Sequence, residues 1–282
     1  MSTWDCCDRR LPLDRTLIMG ILNVTPDSFS DGGLFLDPFA AVDQASRMIE
    51  EGADIIDVGG ESTRPGAAEV STEDELNRVI PVIEAIVSRT GAVVSIDTTK
   101  SSVARAAVDA GAVIVNDVTA MRADLSMPDV ITESGAGIVL MHMLGNPRTM
   151  QSNPTYDDVV AEVKTALVGW AADALAAGVP DSAIVLDPGI GFGKTREHNL
   201  QLLRAIPALC EPGFPILIGT SRKSFIGTTL DVPVGERLEG TAATVAWSVA
   251  QGAGIVRVHD VKEMVRVVRM TEAIKAAGTH AG

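Results

Sequence analysis

Short runs of apolar, mostly β-branched residues alternate with longer stretches of helical spacing along the whole chain. Each run is nearly all apolar, which is typical of strands buried on both faces of a parallel sheet. The eight predicted strands are Leu17–Leu22, Ile55–Val58, Val93–Ile96, Val113–Val115, Ile138–Met141, Ile184–Leu186, Ile216–Ile218 and Ile255–Val258. The stretches between them, predicted as helices, include Ala40–Glu51, Glu73–Ser88, Ser102–Ala110, Tyr156–Ala177 and Val261–Ala276.

Eight strand–helix units within roughly 250 residues predict an α/β fold, a single-domain, TIM-like (β/α)8 barrel. An open, doubly wound sheet is the alternative, but its first turn is usually rich in glycine. The first turn here reads Asn23-Val24-Thr25-Pro26, which favours the barrel. The barrel is predicted to span residues 17–282, after an N-terminal extension of residues 1–16. That extension is expected to be a strand or plug at the barrel floor, or a frayed end.

Composition and charge narrow the range of partners. The chain carries 37 acidic and 23 basic residues, a net charge of −14, and it has no cluster of Lys and Arg. A chain with this charge binds nucleic acid or an anionic membrane poorly, so neither is expected as a partner. Cys6, Cys7 and Cys210 lack disulfide or metal-ligand spacing, and no apolar stretch suits a signal peptide or a bilayer span. We therefore expect a cytoplasmic protein.

Polar residues follow every predicted strand, and in a barrel these strand ends converge on the rim that carries the active site. Asp and Asn are also ordinary helix caps, but capping does not explain the whole set. Acceptors in this set would suit the paired N–H donors of a flat heterocycle, and cations would suit a phosphate or pyrophosphate. The acceptors are Asp97, Asn116 and Asp187; the cations are Arg64, Lys223, Arg257 and His259.

The glycine-rich segment Gly189–Thr195 is similar to a phosphate-binding loop, but Pro188 stands where such a loop needs glycine. Its glycine spacing does not fit a dinucleotide-binding turn either. We predict a turn in which the backbone closely approaches its neighbours. His142 and His198 have no partner at metal-ligand spacing, so no zinc site is predicted.

Long motifs in fixed order resemble the dihydropteroate synthase family from about Leu17 to the C-terminus. Gly20–Gly33 resembles the first signature of that family, and Asp57–Gly66 resembles the second. The resemblance continues through Ser95–Thr98, Asn116–Val118, Asp187–Lys194, Ser221–Ser224 and Arg257–Asp260. It implies a TIM-like barrel that condenses (7,8-dihydropterin-6-yl)methyl diphosphate with p-aminobenzoate, releasing pyrophosphate. It also implies Mg2+ as cofactor, a homodimer, and inhibition by sulfonamides, which mimic p-aminobenzoate.

The resemblance further implies roles for single residues, with Lys223, Arg257, Asp97 and Asp187 as the catalytic set. Pterin and pyrophosphate would be bound by Thr63, Arg64, Asp97, Asn116, Met141, Asp187, Lys223, Arg257 and His259. The p-aminobenzoate pocket would be formed by Thr63, Pro65, Phe192, Lys223 and Ser224. Asn23 would help to coordinate Mg2+.

Other functions stay open at this point. Methyltransferases that use methyltetrahydrofolate and a cobalamin protein share the barrel, but they have no need of Lys223 or the Arg257–His259 pair. A non-catalytic paralogue would be expected to lose the Ser62–Pro65 loop, which is intact. A Schiff-base aldolase would use a strand-end lysine. The apolar helices near 241–249 and 261–268 could form a dimer interface or pack against the barrel alone.

Overall fold

A computed structural model describes residues 3–25, 38–62, 69–145, 149–151 and 153–277. The chain begins with an antiparallel hairpin of β1 (Thr3–Cys6) and β2 (Arg9–Pro12). The remaining strands are β3 (Leu17–Asn23), β4 (Ile55–Gly59), β5 (Val93–Asp97), β6 (Ile114–Asp117), β7 (Gly137–Met141), β8 (Ile184–Asp187), β9 (Leu217–Ile218) and β10 (Ile255–Val258). The helices are α1 (Pro38–Glu51), α2 (Thr72–Thr90), α3 (Ser101–Asp109), α4 (Met127–Ser134), α5 (Val159–Ala176), α6 (Arg196–Arg204), α7 (Ile206–Cys210), α8 (Ser224–Leu230), α9 (Leu238–Ala250) and α10 (Val261–Ala276), with 3-10 turns at Asp181–Ala183 and Val234–Glu236.

Eight parallel strands form one sheet in the order β8-β7-β6-β5-β4-β3-β10-β9. A parallel bridge between Leu186 and Ile216 joins its two edges, and Leu186 N donates to Pro215 O at 3.0 Å. The sheet therefore closes on itself, and the predicted TIM-like barrel is confirmed. The seventh strand of the barrel, β9, is shorter than predicted, because Ile216 takes part only in this bridge.

Helix boundaries follow local capping more closely than apolar spacing. The predicted helix from Tyr156 begins instead at Val159, because the Asp158 side chain accepts from the backbone N–H groups of Val160 and Ala161 at 3.0 Å each. Such an N-terminal cap satisfies donors that have no partner within the helix. The apolar stretch is thus helical as predicted, but the helix begins three residues later than predicted.

The N-terminal hairpin seals the barrel floor. Trp4 is fully buried, and its Nε1 donates to Ala183 O at 2.9 Å. It packs in an apolar cluster with interior residues of the strands, among them Leu17, Met19 and Ile55. Residues 3–12 thus take the plug arrangement, while the division of the chain at residue 16 stays a prediction. In the part of the chain that the structure describes, no helix is long and apolar enough to cross a membrane.

The pairing of neighbouring strands sets the height of the polar residues along the barrel axis, at the C-terminal end of the barrel. Asp97 pairs with Gly59 on one side and with Asn116 on the other, and Met141 pairs with Asp187. Since side chains alternate between the two faces of a strand, residues two apart share the barrel interior. Asp57 therefore lies one level below the rim on the same interior face as Gly59.

Candidate active site

An open cavity lies at the C-terminal rim of the barrel. The predicted site residues that line it are Asp97, Asn116, Met141, Asp187, Phe192, Lys223, Arg257 and His259. Its walls are completed by Ile21, Val118, Ile190, Gly219 and Ser221. The structure thus brings acceptors and cations from the ends of five strands, β5, β6, β8, β9 and β10, into one space.

Arg257 is held by two carboxylates. Its Nε donates to Asp57 Oδ2 at 2.6 Å, and its Nη2 donates to Asp97 Oδ2 at 2.7 Å. Burial alone would lower the pKa of Arg257, but the attraction of Asp57 and Asp97 outweighs burial and raises it. Burial raises the pKa of Asp97 to about 7, against the opposing pull of Arg257 and with added repulsion from Asp57. Arg257 is therefore a fixed cation beside a carboxyl whose pKa burial raises.

Asn116 is oriented by the same carboxylate. Its Nδ2 donates to Asp57 Oδ2 at 3.1 Å, which leaves the amide oxygen to accept hydrogen bonds. The neighbouring Asp117 has a different role, because its carboxylate accepts from Thr119 N and Met121 N at 2.7 Å each and fixes the turn after β6. Only the first residue of the Asn116–Asp117 pair thus belongs to the cavity.

Asp187 and Lys223 form the opposite wall with Phe192. Asp187 Oδ1 accepts from Gly189 N at 2.7 Å, and burial raises the pKa of Asp187 although this hydrogen bond and Lys223 oppose the shift. Burial also lowers the pKa of Lys223 to about 8, with Asp187 opposing. Lys223 Nζ lies 3.9 Å from the centroid of the Phe192 ring, a cation–π geometry.

His259 is oriented by Ser221. Its backbone N–H donates to Ser221 Oγ at 3.1 Å, and its Nδ1 lies 3.0 Å from the same oxygen. With the hydroxyl donating to Nδ1, the ring proton is on Nε2. His259 and Arg257 both line the cavity, as expected for residues two apart on one strand.

Some predicted site residues are placed elsewhere. Ser224 is exposed at the start of α8 and does not line the cavity. Asn23 ends β3, paired with Gly59, beside the cavity rather than in its wall. The predicted roles of Thr63, Arg64 and Pro65 fall on residues outside the described part of the chain.

Asp57 contacts two of the cavity residues, and the sequence analysis left it without a role. It is completely buried and contacts both Arg257 and Asn116. The available signal was a carboxylate inside an apolar strand, which requires a hydrogen-bond donor. Asp57 also opens the segment that resembles the second family signature. Its two donors, however, lie 59 and 200 positions further along the chain.

Two oxygens at the rim suit a hard cation. A Cβ placed on Gly59 would lie 3.8 Å from Asp97 Oδ2 and 3.9 Å from Asn23 Oδ1, so both oxygens border the same small space. Mg2+ prefers oxygen ligands and keeps several waters, with one or two protein groups and substrate phosphates completing its shell. Among the described residues no cluster of three or more His, Cys, Asp or Glu is present. The oxygens of Asn23 and Asp97 are donors of the kind that fits a Mg2+ ion held mainly by water and substrate.

Comparison with known proteins gives a consistent result. The profile of the pterin binding enzyme family matches residues 19–259. The dihydropteroate synthase of Escherichia coli (strain K12) is 49% identical over 267 residues, 95% of this chain and 94% of that protein. The Yersinia pestis dihydropteroate synthase, solved with a sulfonamide drug complex, superposes with a TM-score of 0.92 at 42% identity, covering 98% of this chain and 100% of that one. The Xanthomonas albilineans dihydropteroate synthase, solved with 4-aminobenzoic acid, superposes with a TM-score of 0.91 at 46% identity, covering 98% of each chain.

Proposed function

We infer from these findings that the chain, which belongs to the dihydropteroate synthase family of pterin-binding enzymes, is a transferase of folate biosynthesis. It condenses (7,8-dihydropterin-6-yl)methyl diphosphate with p-aminobenzoate to give 7,8-dihydropteroate and pyrophosphate. The observation that carries this function is the rim cavity in which Asp97, Asn116 and Asp187 meet Lys223 and Arg257. Acceptors for a heterocycle and cations for its leaving group line the same open cavity.

The acceptors suit the pterin ring. A 2-amino-pyrimidinone edge presents adjacent N–H donors, and an ionised carboxylate accepts two of them at once. Asp187 is buried and fixed by Gly189 N, and the oriented amide oxygen of Asn116 adds a further acceptor. We assign pterin binding to these two residues and Asp97, with Met141 as an apolar wall.

The cations suit the diphosphate. Arg257 and His259 line the cavity on β10 and just beyond it, and Ser221 holds the His259 ring. As the CH2–O bond breaks, negative charge grows on the departing pyrophosphate, and fixed donors aimed at that charge lower the barrier. The amine nitrogen of p-aminobenzoate forms the new C–N bond to the methylene carbon and loses one proton. We propose a dissociative order, in which the C–O bond breaks before the amine attacks.

Mg2+ fits this site as a cofactor through Asn23 and Asp97, whose oxygens border the space beside Gly59. When bound, the ion would supply charge neutralisation for the leaving pyrophosphate. The protein side chains orient the two organic substrates, and positioning alone can contribute roughly 7–11 kcal/mol of the barrier.

The p-aminobenzoate pocket is assigned to the Phe192–Lys223 wall. The Lys223 ammonium beside the Phe192 ring offers a cation for the carboxylate and an aromatic face for the benzene ring. Sulfonamides, with the same aniline, are proposed to compete for this wall. A relative from Yersinia pestis has been solved with a sulfonamide drug complex, which supports the proposal.

We further propose a homodimer in the cytoplasm. Helices α9 and α10 contact each other, and Val245, Val249, Val265 and Val268 are buried. Trp247 on α9 and Met270 and Ile274 on α10 remain about half or more exposed. These three apolar side chains supply surface for a second copy, and light scattering after gel filtration tests the assembly.

A direct assay tests the reaction. The protein is mixed with the dihydropterin diphosphate, p-aminobenzoate and Mg2+, and dihydropteroate and pyrophosphate are both quantified. Equal amounts of the two products are expected; no product at any enzyme concentration would refute the function. Rapid quenching without p-aminobenzoate then tests the order, because pyrophosphate release under these conditions is expected only for the dissociative route.

A further inference from the structure

Lys194 is a buried lysine for which the proposed reaction has no direct use. Its exposed fraction is 3%, and its Nζ donates to Phe192 O at 2.9 Å and to His142 O at 3.2 Å. The third contact is with His142 Nδ1 at 3.0 Å. In its protonated form the side chain has three N–H donors, so these three acceptors use all of them.

The His142 ring is a neutral acceptor in this arrangement. Burial, reinforced by the charge of Lys194, lowers the pKa of His142 to about 3. The ring stacks against Trp170 with centroids 5.5 Å apart and an interplanar angle of 22°. His142 therefore keeps its proton on Nε2, and Nδ1 accepts from Lys194.

Lys194 connects two different walls of the cavity. His142 directly follows β7, and its backbone N–H donates to Asp187 O at 2.9 Å. Phe192 belongs to the loop between β8 and α6, and its ring faces Lys223. The Lys194 ammonium thus joins the end of β7 to the backbone of the residue that carries the aromatic wall.

The loop also packs closely against the segment after β7. Gly189 has φ +67°, and a Cβ there would lie 1.9 Å from His142 O. Gly193 has φ +64°, and a Cβ there would lie 2.7 Å from Leu144 O. The backbone of the loop is therefore pressed against the segment after β7, which is the close approach that its glycine-rich sequence predicted.

We propose that Lys194 is a positioning residue for the aromatic amine substrate, acting through Phe192. By holding the Phe192 carbonyl against the end of β7, it fixes the Phe192 ring beside Lys223 Nζ, where p-aminobenzoate would be bound. This inference rests on the proposed function. Loss of the ammonium frees the loop from β7 and leaves two buried carbonyl oxygens without this donor, so the aromatic wall shifts.

The test separates the two substrates. Lys194→Met is expected to raise KM for p-aminobenzoate about 10-fold or more, with KM for the dihydropterin diphosphate changed less than about threefold. Lys194→Arg, which keeps the charge and donors, should recover part of the loss. The matched control is Lys164→Met, which removes a lysine paired with Glu211 on the surface and should leave every constant within about twofold.

A double-mutant cycle tests the route through Phe192. If Lys194 acts by placing this ring, Lys194→Met combined with Phe192→Leu raises KM for p-aminobenzoate no further than the larger single change. Multiplication of the two single effects would overturn the route. If Lys194→Met does not fold, His142→Leu removes one of the three acceptors and should raise the same KM by a smaller factor.

The outcomes distinguish the two proposals. A wild-type protein that forms no dihydropteroate refutes the proposed function itself. An active wild type whose Lys194→Met variant shows equal changes in both KM values, or a loss of kcat alone, leaves the function intact and overturns the positioning role.

Discussion

Arg257 Nε donates to Asp57 Oδ2 at 2.6 Å, joining two residues that lie 200 positions apart in the sequence. Asp57 is completely buried on β4 and Arg257 is on β10, with β3 between them in the sheet. The same carboxylate oxygen accepts from Asn116 Nδ2 at 3.1 Å. One carboxylate thus orients both the cation assigned to pyrophosphate and the amide assigned to pterin.

Asp57→Asn is expected to weaken both halves of the first substrate site. Neutralising Asp57 leaves Arg257 with one carboxylate partner, so KM for the dihydropterin diphosphate should rise about 10-fold or more. Stability should fall by about 1–3 kcal/mol, the usual cost of weakening a buried charged hydrogen bond. Steady-state kinetics and urea unfolding measure the two effects. Asp43→Asn is the control, since Asp43 is exposed beside Arg89, and it should change neither quantity.

The pH dependence of kcat/KM for the diphosphate substrate is expected to be bell-shaped. Activity should rise with pH as Asp97, whose pKa is about 7, ionises and fall as Lys223, whose pKa is about 8, loses its proton. Asp97→Asn should abolish the acid limb of the profile in whatever activity remains, and Lys223→Arg should move the basic limb upward. An acid limb that persists unchanged in Asp97→Asn would assign it to another group.

Stability should also depend on pH through Lys194. Burial lowers the pKa of Lys194 to about 7, so between pH 7 and its ordinary value the unfolded chain binds more protons at this residue. The folded state is therefore favoured most at high pH, and this advantage is lost as the pH falls toward 7. Lys194→Met should reduce the slope of unfolding free energy between pH 7 and 10 by up to about 1.4 kcal/mol per pH unit. Urea titrations at several pH values measure this slope, and Lys164→Met should leave it unaltered.

Trp4→Ala tests the barrel floor. Trp4 is fully buried and hydrogen-bonded, so its removal should cost about 3–5 kcal/mol of unfolding free energy. The rim lies at the other end of the barrel, so kcat of the folded variant should stay within about twofold. Leu125→Ala is the comparison, because Leu125 is 88% exposed, and it should cost clearly less. Equal losses in the two variants would contradict the plug.

Asn23→Ala tests the metal assignment. If Asn23 Oδ1 is a ligand, the Mg2+ concentration for half-maximal activity should rise about 10-fold, the scale of losing one direct contact. Titration of activity with Mg2+ measures it, at saturating organic substrates. Asn77→Ala on the exposed face of α2 is the control. An unchanged Mg2+ requirement in Asn23→Ala would place the ion elsewhere.

The sequence by itself determined the barrel and most of its rim. Short continuous apolar runs are typical of strands buried on both faces, so their number and spacing predicted eight strand–helix units. The strand ends then named Asp97, Asn116, Asp187, Lys223 and Arg257, because closure of the sheet carries all such ends to one rim. Ser224 lies outside the cavity, since the direction of a side chain at a helix start depends on the local turn rather than on its neighbour Lys223.

Only the tertiary structure decided which of these groups hold one another. Asp57 was visible as a polar residue inside an apolar strand, but its partners come from β6 and β10, and contacts across the interior of a barrel leave no trace in local spacing. The same is true of Lys194, whose three acceptors come from two separate loops. Local patterns fix elements because they depend on neighbours in sequence, whereas the burial that sets the pKa of Asp97, Lys194 and Lys223 exists only once the barrel has closed.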